Sequence, residues 1–164
     1  MSEGTRHMVR MAEQAVSKNR SDTLVSLGLG SCIGLALFDQ EAGVAGLTHI
    51  VLPESNARGA GTPAKFADTA VPHLIESVVK LGANRARLKA VLCGGAHMFA
   101  SPTSSSSLLQ IGDRNATQTL AALKASRIPV RAQDTGGSSG RSVEVRVATC
   151  EVLVRSVGQA PRNL

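Results

Sequence analysis

The sequence predicts an α+β, mixed α/β domain built in layers, and three observations point there. Short stretches rich in β-branched residues recur along the chain, several joined by glycine-bearing turns. Two longer stretches instead repeat apolar residues at helical spacing. Trp and Tyr are absent and Phe38, Phe66 and Phe99 are the only aromatics, so Val, Leu, Ile and Ala must build the core. With 164 residues, positions 1–164 are expected to form a single domain with a substantial core. Hairpins mixed with two helices suit a layered arrangement.

Strands are expected at Met8–Ala12, Thr23–Leu27, Ile33–Asp39 and Val44–His49. Gln40-Glu41-Ala42-Gly43 reads as a tight hairpin connection between the last two. Antiparallel pairing there brings Cys32 and His49 to the same end of the hairpin. Pro53 ends the apolar run, and residues 54–62 read as loop. A helix then fits Pro63–Leu81, with Thr62 as its cap, Pro63 in its first position and Gly82 past its end. Phe66, Ala67, Ala70, Val71, Leu74, Ile75, Val78 and Val79 give it one apolar face. Pro72 interrupts that pattern and is expected to kink the helix, at about 3 kcal/mol unless packing offsets it. Leu88–Cys93 reads as a buried strand ending in Gly94-Gly95, and Ser101–Ser107 as a Ser-rich mobile loop. A second helix fits Asp113–Ser126, with Ala116, Leu120 and Leu123 facing inward. Val130–Gln133, Ser142–Ala148 and Glu151–Val157 complete the strands, with a flexible turn at Gly136–Gly140.

The formal net charge is +6 and the pI near 9.9, a balance that attracts anionic partners. The basic residues are scattered, with one loose group at Arg85, Arg87 and Lys89. Single-strand binders add stacking aromatics to basic grooves, and this chain lacks them, so an acidic protein partner is expected rather than nucleic acid. The first 20 residues carry charges throughout and no apolar signal-peptide core, and no apolar run is long enough to span a bilayer. Three cysteines without paired spacing suit a reducing compartment, hence a cytoplasmic protein with free thiols.

The strongest chemical signal is Ser26-Leu27-Gly28-Leu29-Gly30-Ser31-Cys32 with His49 across the hairpin. A thiol needs a base to become a good nucleophile, and glycines let backbone N–H groups approach a reacting carbonyl. Cys32 reads either as a small buried hydrophobe or as a nucleophile presented at a sheet end. His49 reads as a core histidine with one hydrogen bond, or as the base that takes the thiol proton and later protonates a leaving group. Ser26 is either a strand serine bonded to backbone or the hydroxyl that orients His49, the part Asn or Asp plays in other Cys-His sites. The N–H groups around Gly28, Gly30, Ser31 and Cys32 offer an oxyanion hole. Gly28-x-Gly30 lacks the third glycine of a dinucleotide fingerprint and the Lys-Ser/Thr of a P-loop. Cys93 and His97 have Cys-x-x-x-His spacing, but a zinc site would need further ligands and would consume the nucleophile. No metal or cofactor is therefore expected. Cys93 reads as strand packing and His97 as a loop residue. Cys150 falls in a strand connection, and His7 and His73 read as surface residues.

These residues, with further runs downstream, resemble the chemotaxis protein family CheD, the chemoreceptor glutamine deamidases. The likeness rests on Leu27–Cys32, Thr48–Pro53, Lys65–Val71, Gly94–Phe99, Ile111–Asn115, Asp134–Gly137 and Gly140–Glu144, seven runs in family order. It implies that Cys32 is the nucleophile, His49 the catalytic histidine and Ser26 the third member, where the family usually carries Thr. It also implies a layered α/β/β/α-type fold of mixed sheets flanked by helices, similar to the deamidase domain of cytotoxic necrotizing factor toxins. The implied activity is hydrolysis of glutamine side chains to glutamate on the cytoplasmic helices of methyl-accepting receptors. Some members also resemble methylesterases, and a CheC-type phosphatase is the implied regulatory partner. The alternative is an adaptor that binds such a phosphatase with little catalysis of its own.

Overall fold

The structure is a computed structural model and describes residues 3–55, 61–98 and 110–164. Its strands are β1 (Arg6–Met8), β2 (Gln14–Ser17), β3 (Thr23–Leu29), β4 (Ile33–Asp39), β5 (Val44–Ile50), β6 (Lys89–Gly94), β7 (Val130–Thr135), β8 (Arg141–Arg146), β9 (Glu151–Ser156) and β10 (Arg162–Asn163). The helices are α1 (Ala67–Lys80) and α2 (Ile111–Ala125), with single 3₁₀ turns at Pro63–Lys65 and Arg85–Arg87. The strands form two five-stranded sheets, ordered β1-β3-β8-β9-β10 and β2-β5-β4-β6-β7. Each sheet is mixed, through the parallel pairs β1/β3 and β6/β7.

The α+β class is as the residues led us to expect, and the two stacked mixed sheets are as the family resemblance implies. One apolar cluster lies between the β4-centred sheet and the helices, with Ile33, Leu35, Leu37 and Leu92 against Val71, Leu74, Val78 and Leu123. A second lies between the sheets, with Ala36, Phe38, Leu47 and Val91 against Leu24, Leu29, Val143, Val145 and Val152. Period-two alternation sends odd residues of β4 to the helices and even residues to the other sheet. Both helices therefore cover the same face, and the order among the described residues is helix, sheet, sheet. The outer face of the β3-β8-β9 sheet carries charges, with Glu144 between Arg6 and Arg155 and Arg146 beside Glu151, and needs no cover.

Two local expectations need correction. The single strand expected at Met8–Ala12 is two strands in different sheets. β1 ends at Met8, Ala12 adopts a left-handed φ of 63°, and β2 begins at Gln14. The helix expected from Pro63 is broken at Phe66, which is extended. There Lys65 O accepts from Val51 and Leu52, and Ala67 N donates to Leu52 O, so the chain end beyond β5 takes groups a continuous helix would have used. Thr62 caps nothing with its side chain, because its hydroxyl donates to Ala12 O at 2.9 Å. Past that break, α1 runs through Pro72 without interruption. It closes as expected at Gly82 (φ 119°), with Ala83 N and Gly82 N donating to Val78 O and Val79 O.

In α2, Ala116, Leu120 and Leu123 face the core as expected, the first two partly buried against it and Leu123 fully covered. The fully covered stripe also holds Gly112 and the polar Asn115 and Thr119, which the expectation did not include. The loop expected at Ser101–Ser107 lies outside the described residues.

Candidate active site

β4 and β5 pair antiparallel with Gly34 opposite His49 and Ile33 opposite Ile50. Cys32 immediately precedes β4, so it and His49 occupy the same end of the hairpin, as its register required. Both lie on the side that faces the other sheet, where β3 supplies Ser26. In β3 the register to β8 slips between Ser26 and Leu29, a bulge that needs an extra residue. Gly28 sits in that bulge at φ 67°, a conformation glycine adopts without strain. The bulge lets Ser26 and Leu29 both point inward while Leu27 turns out to solvent. The expected strand thus runs two residues further than Leu27.

Ser26 is fully buried and His49 is 2% exposed. Ser26 Oγ donates to Val9 O at 2.8 Å and lies 2.8 Å from His49 Nδ1. Its only proton is committed to that carbonyl, so the oxygen accepts from the imidazole. Val9 O itself lies 3.4 Å from Nδ1, and a carbonyl can only accept. Both neighbours place the ring proton on Nδ1 and leave a lone pair on Nε2. Nε2 is buried and has no partner among the described residues. Burial lowers the His49 pKa, against the opposing pull of the Val9 bond and the Glu13 charge. At neutral pH the ring is an uncharged base.

Cys32 is 8% exposed, a rim position rather than the open one expected. Burial raises its thiol pKa, so the resting pair is neutral thiol and neutral imidazole. The turn before it is held by its carbonyls. Gly30 O accepts from Ala96 N at 2.8 Å, Ser31 O from Asn115 Nδ2 at 2.9 Å and Cys32 O from Gly95 N at 2.9 Å. The N–H groups of Gly30, Ser31 and Cys32 have no acceptor among the described residues. Gly94 permits this closure, since a Cβ there would stand 2.1 Å from Cys32 O. N–H groups left without an acceptor are what an oxyanion site requires.

The remaining candidates separate from this group. Cys93 is fully buried in β6, its thiol pushed up to about 12 by burial, and it packs as expected. His97 lies in a loop with Nε2 at 3.0 Å from Asp113 Oδ2. Among the described residues no group of three His, Cys, Asp or Glu could hold a metal. Cys150 occupies the β8–β9 turn at φ 56°. His7 is not a free surface residue, since its Nε2 lies 2.8 Å from the buried Asp22. His73 is partly buried on α1. Sequence reasoning assigned no role to Asn115, which is fully buried and donates to both Ser31 O and Val51 O at 2.9 Å. Its signal was a polar residue at the buried helical spacing of Gly112 and Thr119.

Among the described residues no helix is long and apolar enough to cross a membrane. The crystal structure of a Neisseria meningitidis protein of family DUF152 shares the fold, with a TM-score of 0.53 at 10% identity, over 82% of this chain and 64% of that one. Residues 51–156 match the family model for CheD, described as chemotactic sensory transduction. A relative from Desulfitobacterium hafniense is 40% identical over 154 residues, covering 94% of this chain and 95% of its own. Relatives from Lachnoclostridium phytofermentans and Clostridium botulinum are 40% and 41% identical over 157 residues, covering 95% of this chain and 96% of theirs. All three carry the name "Probable chemoreceptor glutamine deamidase CheD". Likeness at this level from end to end, in a chain whose fold gathers Ser26, Cys32 and His49 at one hairpin end, makes it a member of the CheD family.

Proposed function

We propose that this protein is an amidohydrolase that converts glutamine side chains of chemoreceptor cytoplasmic helices to glutamate. Cys32 is the nucleophile, His49 the general base and acid, and Ser26 the orienting hydroxyl. One observation carries the reading: Ser26 and Val9 hold the proton on His49 Nδ1, which leaves Nε2 as a buried, unpartnered base at the Cys32 end of the hairpin. The names of the relatives supply the substrate class.

Because the resting pair is neutral, the thiol ionises during attack. Nε2 takes the Cys32 proton as Sγ bonds to the carboxamide carbon. The carbonyl oxygen gains charge and is received by N–H groups of Gly30, Ser31 and Cys32. Gly28, as the bulge residue, shapes the approach to that turn. The imidazolium then protonates the departing nitrogen, ammonia leaves, and a thioester remains. Nε2 next accepts a proton from water, whose oxygen attacks the thioester carbon. Glutamate is released and the thiol is restored. A glutamyl methyl ester would follow the same path with methanol leaving, which extends the proposal to receptor demethylation. A net charge of +6 suits a glutamate-rich target.

A CheC-type phosphatase would dock on the same face as a regulator. An adaptor without catalysis has no use for an intact Ser26–His49–Cys32 set, so we place the enzyme reading first. The test is incubation with receptor cytoplasmic fragments and peptide mass spectrometry of glutamine-to-glutamate conversion, beside Cys32→Ala. Conversion by the wild type alone is expected. Equal conversion by both, or none by either, would sink the enzyme reading, and phosphatase binding without conversion would favour the adaptor.

A further inference from the structure

We propose that Asn115 is a positioning residue, which fixes the spacing between the Cys32 turn and the His49 strand. This rests on the function proposed above. Its carboxamide nitrogen donates one hydrogen to Ser31 O and the other to Val51 O, each at 2.9 Å. Ser31 immediately precedes Cys32, and Val51 lies two residues beyond His49. One side chain thus grips both arms of the hairpin where the ladder gives out, since the last β4–β5 pair is Ile33 with Ile50. The other two carbonyls of the turn, Gly30 O and Cys32 O, are tied to Ala96 and Gly95, which belong to neither the His49 strand nor its extension. Among the described residues, Asn115 alone couples the two arms by hydrogen bonds beyond their ladder.

The helix is built to deliver this group. Gly112 lets the first turn of α2 close on Gly95 and Ala96, where a Cβ would stand 2.6 Å from Ala96 O. Thr119 Oγ1 donates to Asn115 O at 2.7 Å, a bond made by the next residue of the same stripe. Asn115 is fully buried, and its Oδ1 has no partner among the described residues. A buried carboxamide left half-satisfied is poorly explained by stability alone, since an apolar residue would avoid that cost. Two fixed donors are what the arrangement keeps.

The test uses the intact protein with Asn115→Ala and Asn115→Ser, the second a small polar residue limited to a single donor. Circular dichroism and thermal melting report folding. Alkylation of Cys32 by iodoacetamide, followed by peptide mass spectrometry across pH, reports its coupling to His49 without any receptor substrate. Glutaminase kcat and KM on receptor fragments are read beside it. In the folded alanine variant, Cys32 alkylation near neutral pH is expected to fall about tenfold or more, with a pH profile like that of His49→Ala. kcat is expected to fall by a similar factor while KM moves less than about threefold, and the serine variant should fall between. A folded alanine variant with wild-type alkylation and kcat would overturn the proposal. So would a changed profile with unchanged kcat, or loss of folding in both variants, which would make Asn115 a stability residue. If the wild type shows no glutaminase activity but the variant still loses the His49-dependent profile, the clamp stands and the function proposed above fails.

Discussion

The molecule holds two cysteine–histidine pairs that share one strand neighbour and differ in everything chemical. Gly34 pairs with His49 on one side and with Cys93 on the other. Cys93 and His97 are close in sequence, yet the thiol is sealed in β6 while His97 turns to Asp113. Cys32 and His49 are separated by a whole hairpin and end at the same rim. Closeness along the chain therefore says little about reactivity. What separates the thiols is depth: burial holds Cys93 at about 12, whereas Cys32, also raised by burial, is 8% exposed at the hairpin end it shares with a neutral imidazole.

The largest effect should split the two cysteines. Cys32→Ala and His49→Ala are each expected to lower receptor glutamine conversion by about 10³-fold or more. Cys93→Ala and His97→Ala should stay within about threefold, since neither belongs to the reacting set. Loss of activity in Cys93→Ala with the fold intact would break the comparison. Next comes Ser26→Ala, expected to cost about ten- to a hundredfold in kcat, less than either partner. Val9 O, 3.4 Å from Nδ1, still holds the tautomer without the hydroxyl. Full activity in Ser26→Ala would remove it from the site.

A smaller effect tests the charge state of His49. Its depressed pKa means the base is available once pH exceeds a value below the ordinary 6.5. The acid limb of kcat/KM should therefore have its midpoint below 6.5 and rise with pH. Glu13→Gln removes a charge that props the pKa up, so the limb should move further down. A wild-type midpoint above 6.5 would contradict the neutral resting pair, and an upward shift in Glu13→Gln would contradict the part given to Glu13.

The smallest effect on activity belongs to Asp39, at the turn end of β4, opposite Cys32. Its carboxylate is fully buried, and burial alone would raise its pKa. Arg87, with N–H groups of Asn84 and Ala42, holds it instead at about 2. A depressed carboxylate stabilises the fold above its unfolded pKa near 3.8, and that contribution fades as pH falls toward 2. Asp39→Asn should cost on the order of 1–2 kcal/mol by denaturant titration at pH 7, and the loss should vanish near pH 2. Activity of the folded variant should stay within about twofold.

Much of this was legible in advance because it is local. Alternation and a four-residue turn set the β4–β5 hairpin, and that pairing alone assigned Cys32 and His49 to one end. Gly82 marked the close of α1 through its backbone freedom. The break in the expected helix and the unforeseen polar stripe share one cause, competition from distant backbone. Lys65 and Ala67 serve the chain beyond β5, so the helix breaks at Phe66. Asn115 serves Ser31 and Val51, so α2 turns a polar stripe inward.

The amino-acid sequence by itself determined most of the strands, the hairpin and the family runs, because periodicity and turn chemistry act over a few residues. Tertiary structure decided which nitrogen of His49 carries the proton and which keeps a free lone pair. That choice depends on Ser26 from another sheet and on Val9 O from the crossing between β1 and β2. It also decided that Asn115 spans the two arms of the site. Single hydrogen bonds between residues far apart in the chain leave no periodic trace, and only the packing of sheet on sheet and helix on sheet brings their atoms within reach.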